Sequence, residues 1–133
     1  MSQKKLKVIL GTFFLIAGVV LVYLASLGCT ETIPDAPSGL VRTNTYPCSI
    51  SWTDNSDNET GFRIYVGYNG CVSECDTVTD WILNETVGED VTSYEWTTSC
   101  CSVAECTCVM VVAYNSAGES NQSNAVQLAP LCK

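Results

Sequence analysis

The sequence predicts one all-β sandwich domain preceded by one N-terminal hydrophobic helix. Three observations lead there. An unbroken apolar run occupies the start of the chain. Beyond it, short alternating segments are separated by turn-forming residues, and no stretch shows a helical period. The remaining residues, about 100, suit a single domain, and cysteine is abundant in them.

Lys4, Lys5 and Lys7 precede Val8 to Gly28, VILGTFFLIAGVVLVYLASLG, which has no charged residue. A run of roughly 18 or more apolar residues is long enough to cross a bilayer as a helix, whereas a signal-peptide core is usually about 7–15. The lysines favour a cytoplasmic N-terminus, which places everything after Gly28 outside the cytoplasm. Three fates stay open. The run is retained as an anchor, or cut before Cys29 with lipidation of that residue, or cut there for plain secretion. Ser26-Leu27-Gly28-Cys29 resembles a bacterial lipoprotein cleavage box, with Ser26 where an aliphatic residue is usual. Residues 1–28 are therefore read as signal peptide or transmembrane anchor, 29–36 as linker and 37–133 as the folded domain. TETIPDAPS, residues 30–38, is polar with two prolines and reads as an extended spacer.

Cys48, Ile50 and Trp52 alternate with Ser49 and Ser51, giving a strand with one buried and one wet face. Thr53 to Gly61 is rich in Asn, Asp and Ser and reads as a loop. Phe62, Ile64 and Val66 alternate with Arg63 and Tyr65 in a second strand. Thr77 to Leu83, with Val78 and Trp81, is expected to form another, and Val91 to Trp96 one more. Val109, Val111 and Ala113 alternate with Met110, Val112 and Tyr114, so both faces are apolar and the strand is expected to be central. Asn115 to Glu119 is a turn and Ala125 to Leu128 the last strand. The expected core is Ile50, Trp52, Phe62, Ile64, Val109, Val111 and Ala113.

All fourteen acids lie after residue 28, against Arg42, Arg63 and Lys133, so residues 29–133 carry a formal charge of −11. Such a surface repels nucleic acid and anionic lipid.

Of the nine cysteines, Cys29 is set aside as the lipidation candidate. Cys48, Cys71, Cys75, Cys100, Cys101, Cys106, Cys108 and Cys132 remain, an even number at a density that approaches the roughly 8–10% of a disulfide scaffold in a short exported chain. About four bridges are expected. Zinc fits poorly: the chain has no histidine, and the spacings do not repeat a two-residue gap. A redox centre fits poorly as well. Cys106-Thr107-Cys108 is not a Cys-x-x-Cys at a helix start, and Glu105 beside it disfavours a thiolate. No cofactor is expected.

APSGL (36–40), SISW (49–52), TDNSDNETGFRIY (53–65), DVTSYEW (90–96) and VVAYNSAGESNQSN (111–124) resemble, in order and spacing, a fibronectin type III domain. The resemblance implies a seven-stranded immunoglobulin-like sandwich with Trp52 and Phe62 in its core. The tyrosine that usually enters the sixth strand is missing, with Val109 in its expected place and cysteines around it. In the implied topology the connections between strands one and two, three and four, and five and six lie at one pole with the C-terminus. All eight cysteines map there, opposite the N-terminus, as a cross-linked cap. Adjacent Cys100 and Cys101 are expected to take different partners, and Cys48 is expected to pair with Cys132.

Weaker signals remain. Asn58, Asn84 and Asn121 open glycosylation sequons. Asp54, Asp57 and Glu59 share one loop but lack the spacing of a calcium loop. Trp81, Tyr94 and Trp96 offer a sugar platform, although such residues more often pack a sheet face. The chain has no nucleophile–base pair and no phosphate loop, so it is not expected to be an enzyme. The expected role is a membrane-attached, cell-surface binding or adhesion module for an extracellular protein or glycan. A self-assembling structural subunit is the alternative, and an extracytoplasmic thiol–disulfide enzyme fits less well.

Overall fold

The computed structural model describes residues 31–68, 75–100 and 107–128. Eight strands run through them: β1 (Ser38–Thr45), β2 (Cys48–Thr53), β3 (Gly61–Tyr68), β4 (Ile82–Gly88), β5 (Ser93–Glu95), β6 (Thr107–Asn115), β7 (Gly118–Glu119) and β8 (Val126–Gln127). All pairings are antiparallel. One sheet has the order β1-β2-β5; the other has β4-β3-β6, with β7 and β8 both on β6. The seventh strand of the expected sandwich is thus split into two short pieces. The expected N-terminal helix lies outside the described residues. Among those described, no helix is long and apolar enough to cross a membrane.

The core sits between the sheets. Ile50, Phe62, Ile64, Val109, Val111 and Ala113 are fully buried and Trp52 nearly so, joined by Leu40, Trp96 and Leu128. Alternation puts these side chains on facing sides of the two sheets. Trp52 and Phe62 meet as tilted rings 5.6 Å apart. Burying a residue of the size of Phe62 contributes about 2–3 kcal/mol.

Strand β6 is buried on both faces, as its doubly apolar sequence predicts: Met110 and Val112, on the outer side, are covered as well. Beside it the chain departs from regular pairing between β7 and β8. Ser120 and Ser123 continue the ladder with their backbone N–H groups, which donate to the carbonyls of Ala113 and Val111. Their hydroxyls accept the return bonds, from Ala113 N–H and Val111 N–H, each 3.0 Å. Two serine side chains therefore stand in for two missing backbone acceptors.

The fourth strand is not where alternation suggested. Cys75–Thr77 forms a 3-10 turn, and the strand begins only at Ile82. Val78 and Trp81 are apolar for a different reason: they pack over Gly67 of β3. A Cβ at Gly67 would lie 2.3 Å from Val78 Cγ1 and 3.0 Å from the carbonyl oxygen of Asp80. β4 itself is an edge strand exposed along nearly its whole length, so its sequence shows no buried period. The 31–37 segment has no regular secondary structure, but it is not a free spacer. Pro34 and Pro37 are buried, and Thr32 O accepts from Asn58 Nδ2 (2.9 Å) and Asn115 Nδ2 (2.7 Å).

Side-chain amides latch the two open sides of the sandwich. On one side Asn124 grips β1 twice: its Oδ1 accepts from Leu40 N–H (2.9 Å), and its Nδ2 donates to Leu40 O (2.8 Å). On the other side Trp96 Nε1, beside β5, donates to Asn84 Oδ1 on β4 at 3.0 Å.

Replacing Ser123 by alanine leaves the buried Val111 N–H without its acceptor, so Ser123→Ala is expected to cost about 1–3 kcal/mol. Denaturant unfolding of the oxidised protein measures this, and an unchanged midpoint would contradict the role given to the hydroxyl.

Candidate functional site

The described cysteines gather at the pole that carries the β1–β2 turn, the end of β3 and the start of β6. Cys48 bonds to Cys100, with Cα atoms 4.7 Å apart, and Cys75 bonds to Cys108 at 5.8 Å. Cys29, Cys71, Cys101, Cys106 and Cys132 lie outside the described residues.

The expected Cys48–Cys132 pairing is corrected to Cys48–Cys100. After β5 the chain continues alongside β2: Trp96 N–H donates to Cys48 O, Cys48 N–H to Thr98 O, and Cys100 N–H to Thr45 O. This lays Cys100 against the start of β2. The last described residues lie in the other sheet, where β8 pairs with β6 and Leu128 N–H donates to Thr107 O. Val109 likewise does not occupy the corner. The strand opens at Thr107, itself fully buried, and Val109 lies two residues further in.

The two bridges act on different surfaces. Cys48 is in phase with Ile50 and Trp52, so its bridge closes the inner end of the core. Cys108 is in phase with Met110 and Val112 and faces outward, opposite Gly67. Cys75–Cys108 therefore straps residues 75–81 across the outer face of the larger sheet, with Val78 and Trp81 lying over Gly67.

Further along the same face, a polar layer covers β6. Arg63 Nη1 pairs with Glu119 Oε1 at 2.5 Å, and Tyr65 OH donates to the same oxygen at 2.7 Å. The Arg63 guanidinium lies 4.3 Å above the Tyr114 ring. The bond from Arg63 holds the Glu119 carboxyl below its ordinary value, against a smaller opposing effect of burial. Burial and the bond to Glu119 push the Tyr65 phenol up.

At the opposite pole Asp54, Glu59 and Asp90 bring carboxylate oxygens within 4.8 Å of one another. Asp90 joins the group in place of the expected Asp57. Glu59 is buried, which pushes its pKa up; hydrogen bonds from Ser56 Oγ (2.6 Å), backbone N–H groups and Asp54 more than offset this and lower it. Burial and the proximity of Glu59 raise Asp54.

The three aromatic residues do not form a platform. Trp96 is buried, with Tyr94 edge-on at 4.8 Å, while Trp81 lies over Gly67 on the far face of the other sheet. Apolar exposure is concentrated elsewhere. Among the described residues six large hydrophobic side chains are exposed, and Tyr46, Tyr68, Ile82 and Leu83 of these lie at or next to the disulfide pole. Nothing local marks these residues: Tyr46 is in a turn, and Ile82 and Leu83 are adjacent on an edge strand that no second sheet covers.

The strand order divides the sheets as three and four, with the split strand counted once. A crystal structure of domains from titin aligns over 70% of this chain, with 20% identity and a TM-score of 0.50, and the aligned part spans 30% of that structure's length. The fold is fibronectin type III-like. A solution structure of the fibronectin type III domain of human fibronectin type III domain containing protein 3 aligns over 75% of this chain and 88% of its own, with 17% identity and a TM-score of 0.47. No family model and no curated protein matches the chain. Fold likeness at this identity does not carry function with it.

Two outcomes are expected. Removing the outer strap with Cys75→Ala/Cys108→Ala should destabilise the fibronectin type III-like domain by about 2–4 kcal/mol and open the chain near Trp81 to limited proteolysis; resistance equal to the parent would contradict the strap. The Arg63–Glu119 bond is complete above the ordinary glutamate value of 4.5 and is lost as the pH falls through the lower folded value. Glu119→Gln should therefore flatten the acid limb of a stability–pH profile. Because both groups are about a third exposed, the loss at neutral pH should stay within about 1 kcal/mol.

Proposed function

We propose that this chain is a non-catalytic, extracytoplasmic binding module that meets a partner protein with its disulfide pole. The concentration of Tyr46, Tyr68, Ile82 and Leu83 there carries the reading, since clustered exposed apolar side chains mark interaction surfaces. These residues stand on strands or a short turn beside two disulfides, so little ordering entropy would be lost on binding. The opposite pole is less free: Asn58 and Asn115 are engaged by the chain's own Thr32. Paired cysteines favour an oxidising compartment, and the acidic surface disfavours nucleic acid and anionic lipid as partners. The N-terminal apolar run would hold the module at a membrane.

A second reading, a subunit of a surface assembly, draws on one observation. β4 is a seven-residue edge strand whose outer side has no strand partner among the described residues, which is the geometry that strand addition uses.

Photo-crosslinking residues placed at Tyr46, Tyr68, Asp57 and, on β4, Glu85 in the full-length protein, on cells, test both. Binding at the disulfide pole predicts that Tyr46 and Tyr68 capture a different protein and Asp57 does not. Capture of a second copy from β4 would favour assembly, and capture from Asp57 alone would overturn the binding reading.

A further inference from the structure

The three sequons are equivalent as sequence but not as structure. In the first, Asn58 Nδ2, the atom a glycan would take, donates to Thr32 O at 2.9 Å and Thr32 Oγ1 at 3.2 Å. A sugar there would displace a contact that fixes the 31–37 segment. In the third, the Ser123 hydroxyl is buried, accepts from Val111 N–H and donates to Asn124 O at 2.8 Å. That hydroxyl is closed to an enzyme once the domain has folded.

Asn84 differs on each count. It is exposed, on edge strand β4. It also sits at a bulge: Ile64 faces Glu85 and Tyr65 faces Leu83, so Asn84 is the extra residue with no cross-strand partner. Its amide orientation is settled by chemistry. The indole N–H of Trp96 can only donate, so the atom it meets at 3.0 Å is the oxygen, Oδ1. Nδ2 is left on the side away from the indole and makes no hydrogen bond among the described residues. Thr86, which completes the sequon, is exposed too.

We propose that Asn84 is an N-glycosylation site, taking an oligosaccharide from a lipid-diphosphate donor. Nδ2 attacks the anomeric carbon. A carbon–nitrogen bond forms, the carbon–oxygen bond to the diphosphate breaks, the lipid diphosphate leaves, and one amide proton passes to a base of the transferring enzyme. The amide keeps one N–H, and its oxygen keeps the bond to Trp96, so the latch between the sheets survives the modification. The glycan would stand on the free edge of β4, where a bulky hydrated chain blocks addition of another strand. The inference is independent of the binding role of the disulfide pole, and it works against assembly through β4.

The test is secretion of the full-length chain from a host with N-glycosylation machinery, followed by enzymatic glycan release in heavy-oxygen water and peptide mass analysis. Release converts a glycosylated Asn to labelled Asp. The label is expected at residue 84 in most molecules and absent from residue 58. Thr86→Ala should abolish it while keeping Asn84 and its bond to Trp96, with the parent circular dichroism spectrum. Unlabelled Asn84 in folded, disulfide-bonded protein, from cells that modify a control glycoprotein, overturns the proposal. Equal labelling at Asn58 overturns it as well.

Discussion

Strand β6 has no face to give to water, and much of the molecule follows from that constraint. Its inner residues, Val109, Val111 and Ala113, meet the smaller sheet across the core. Its outer residues need a cover that a two-layer sandwich does not supply. Two devices provide it. Residues 75–81 are strapped across the surface by Cys75–Cys108, and Arg63, Tyr65 and Glu119 form a bonded layer over the remainder. Gly67 belongs to the first device, because only a residue without a Cβ lets Val78 and the backbone at Asp80 come so close. Pairing along β6 is under the same pressure: buried N–H groups must find acceptors, and Ser120 and Ser123 supply them where β7 and β8 are interrupted.

The sheets are joined at their open sides by polar contacts as well as by packing. Asn124 holds β1 with a donor and an acceptor on the same backbone unit, and Asn84 receives the Trp96 indole across the other side. Asn58 and Asn115 do the same for the 31–37 segment. A short amide carries both a donor and an acceptor, so it can bind backbone where two elements approach without forming a ladder. In a domain that buries only about 60–65% of the surface its chain exposes, such latches and the disulfides Cys48–Cys100 and Cys75–Cys108 supplement a modest core.

This division of labour separates the ends of the molecule. One pole is closed by disulfides and carries most of the exposed large apolar residues; the other is occupied by the chain's own 31–37 segment and a hydrogen-bonded carboxyl cluster. Burial raises the Asp54 carboxyl, while at Glu59 the bond from Ser56 and its neighbours outweighs burial and holds that carboxyl low. Any recognition surface is thus set by where the fold leaves apolar side chains without a facing sheet.

Alternation of Ile50 with Trp52, of Phe62 with Ile64 and of Val109 with Val111 determined the strands and the core from sequence, because side-chain direction along a strand is a local property of the backbone. The doubly apolar 109–114 stretch likewise determined a central strand. Other features were settled only in three dimensions. Cys48 pairs with Cys100 because residues 96–100 run beside β2, which no spacing of cysteines encodes. Trp81 covers Gly67 while Trp96 enters the core, although each tryptophan directly follows an acidic residue. Asn58, Asn84 and Asn121 share one local pattern, and they part company only because Thr32, Trp96 and Val111 arrive from elsewhere in the chain. What a residue's own neighbours fix can be read along the sequence; what its partner fixes depends on which distant segment the fold brings to it.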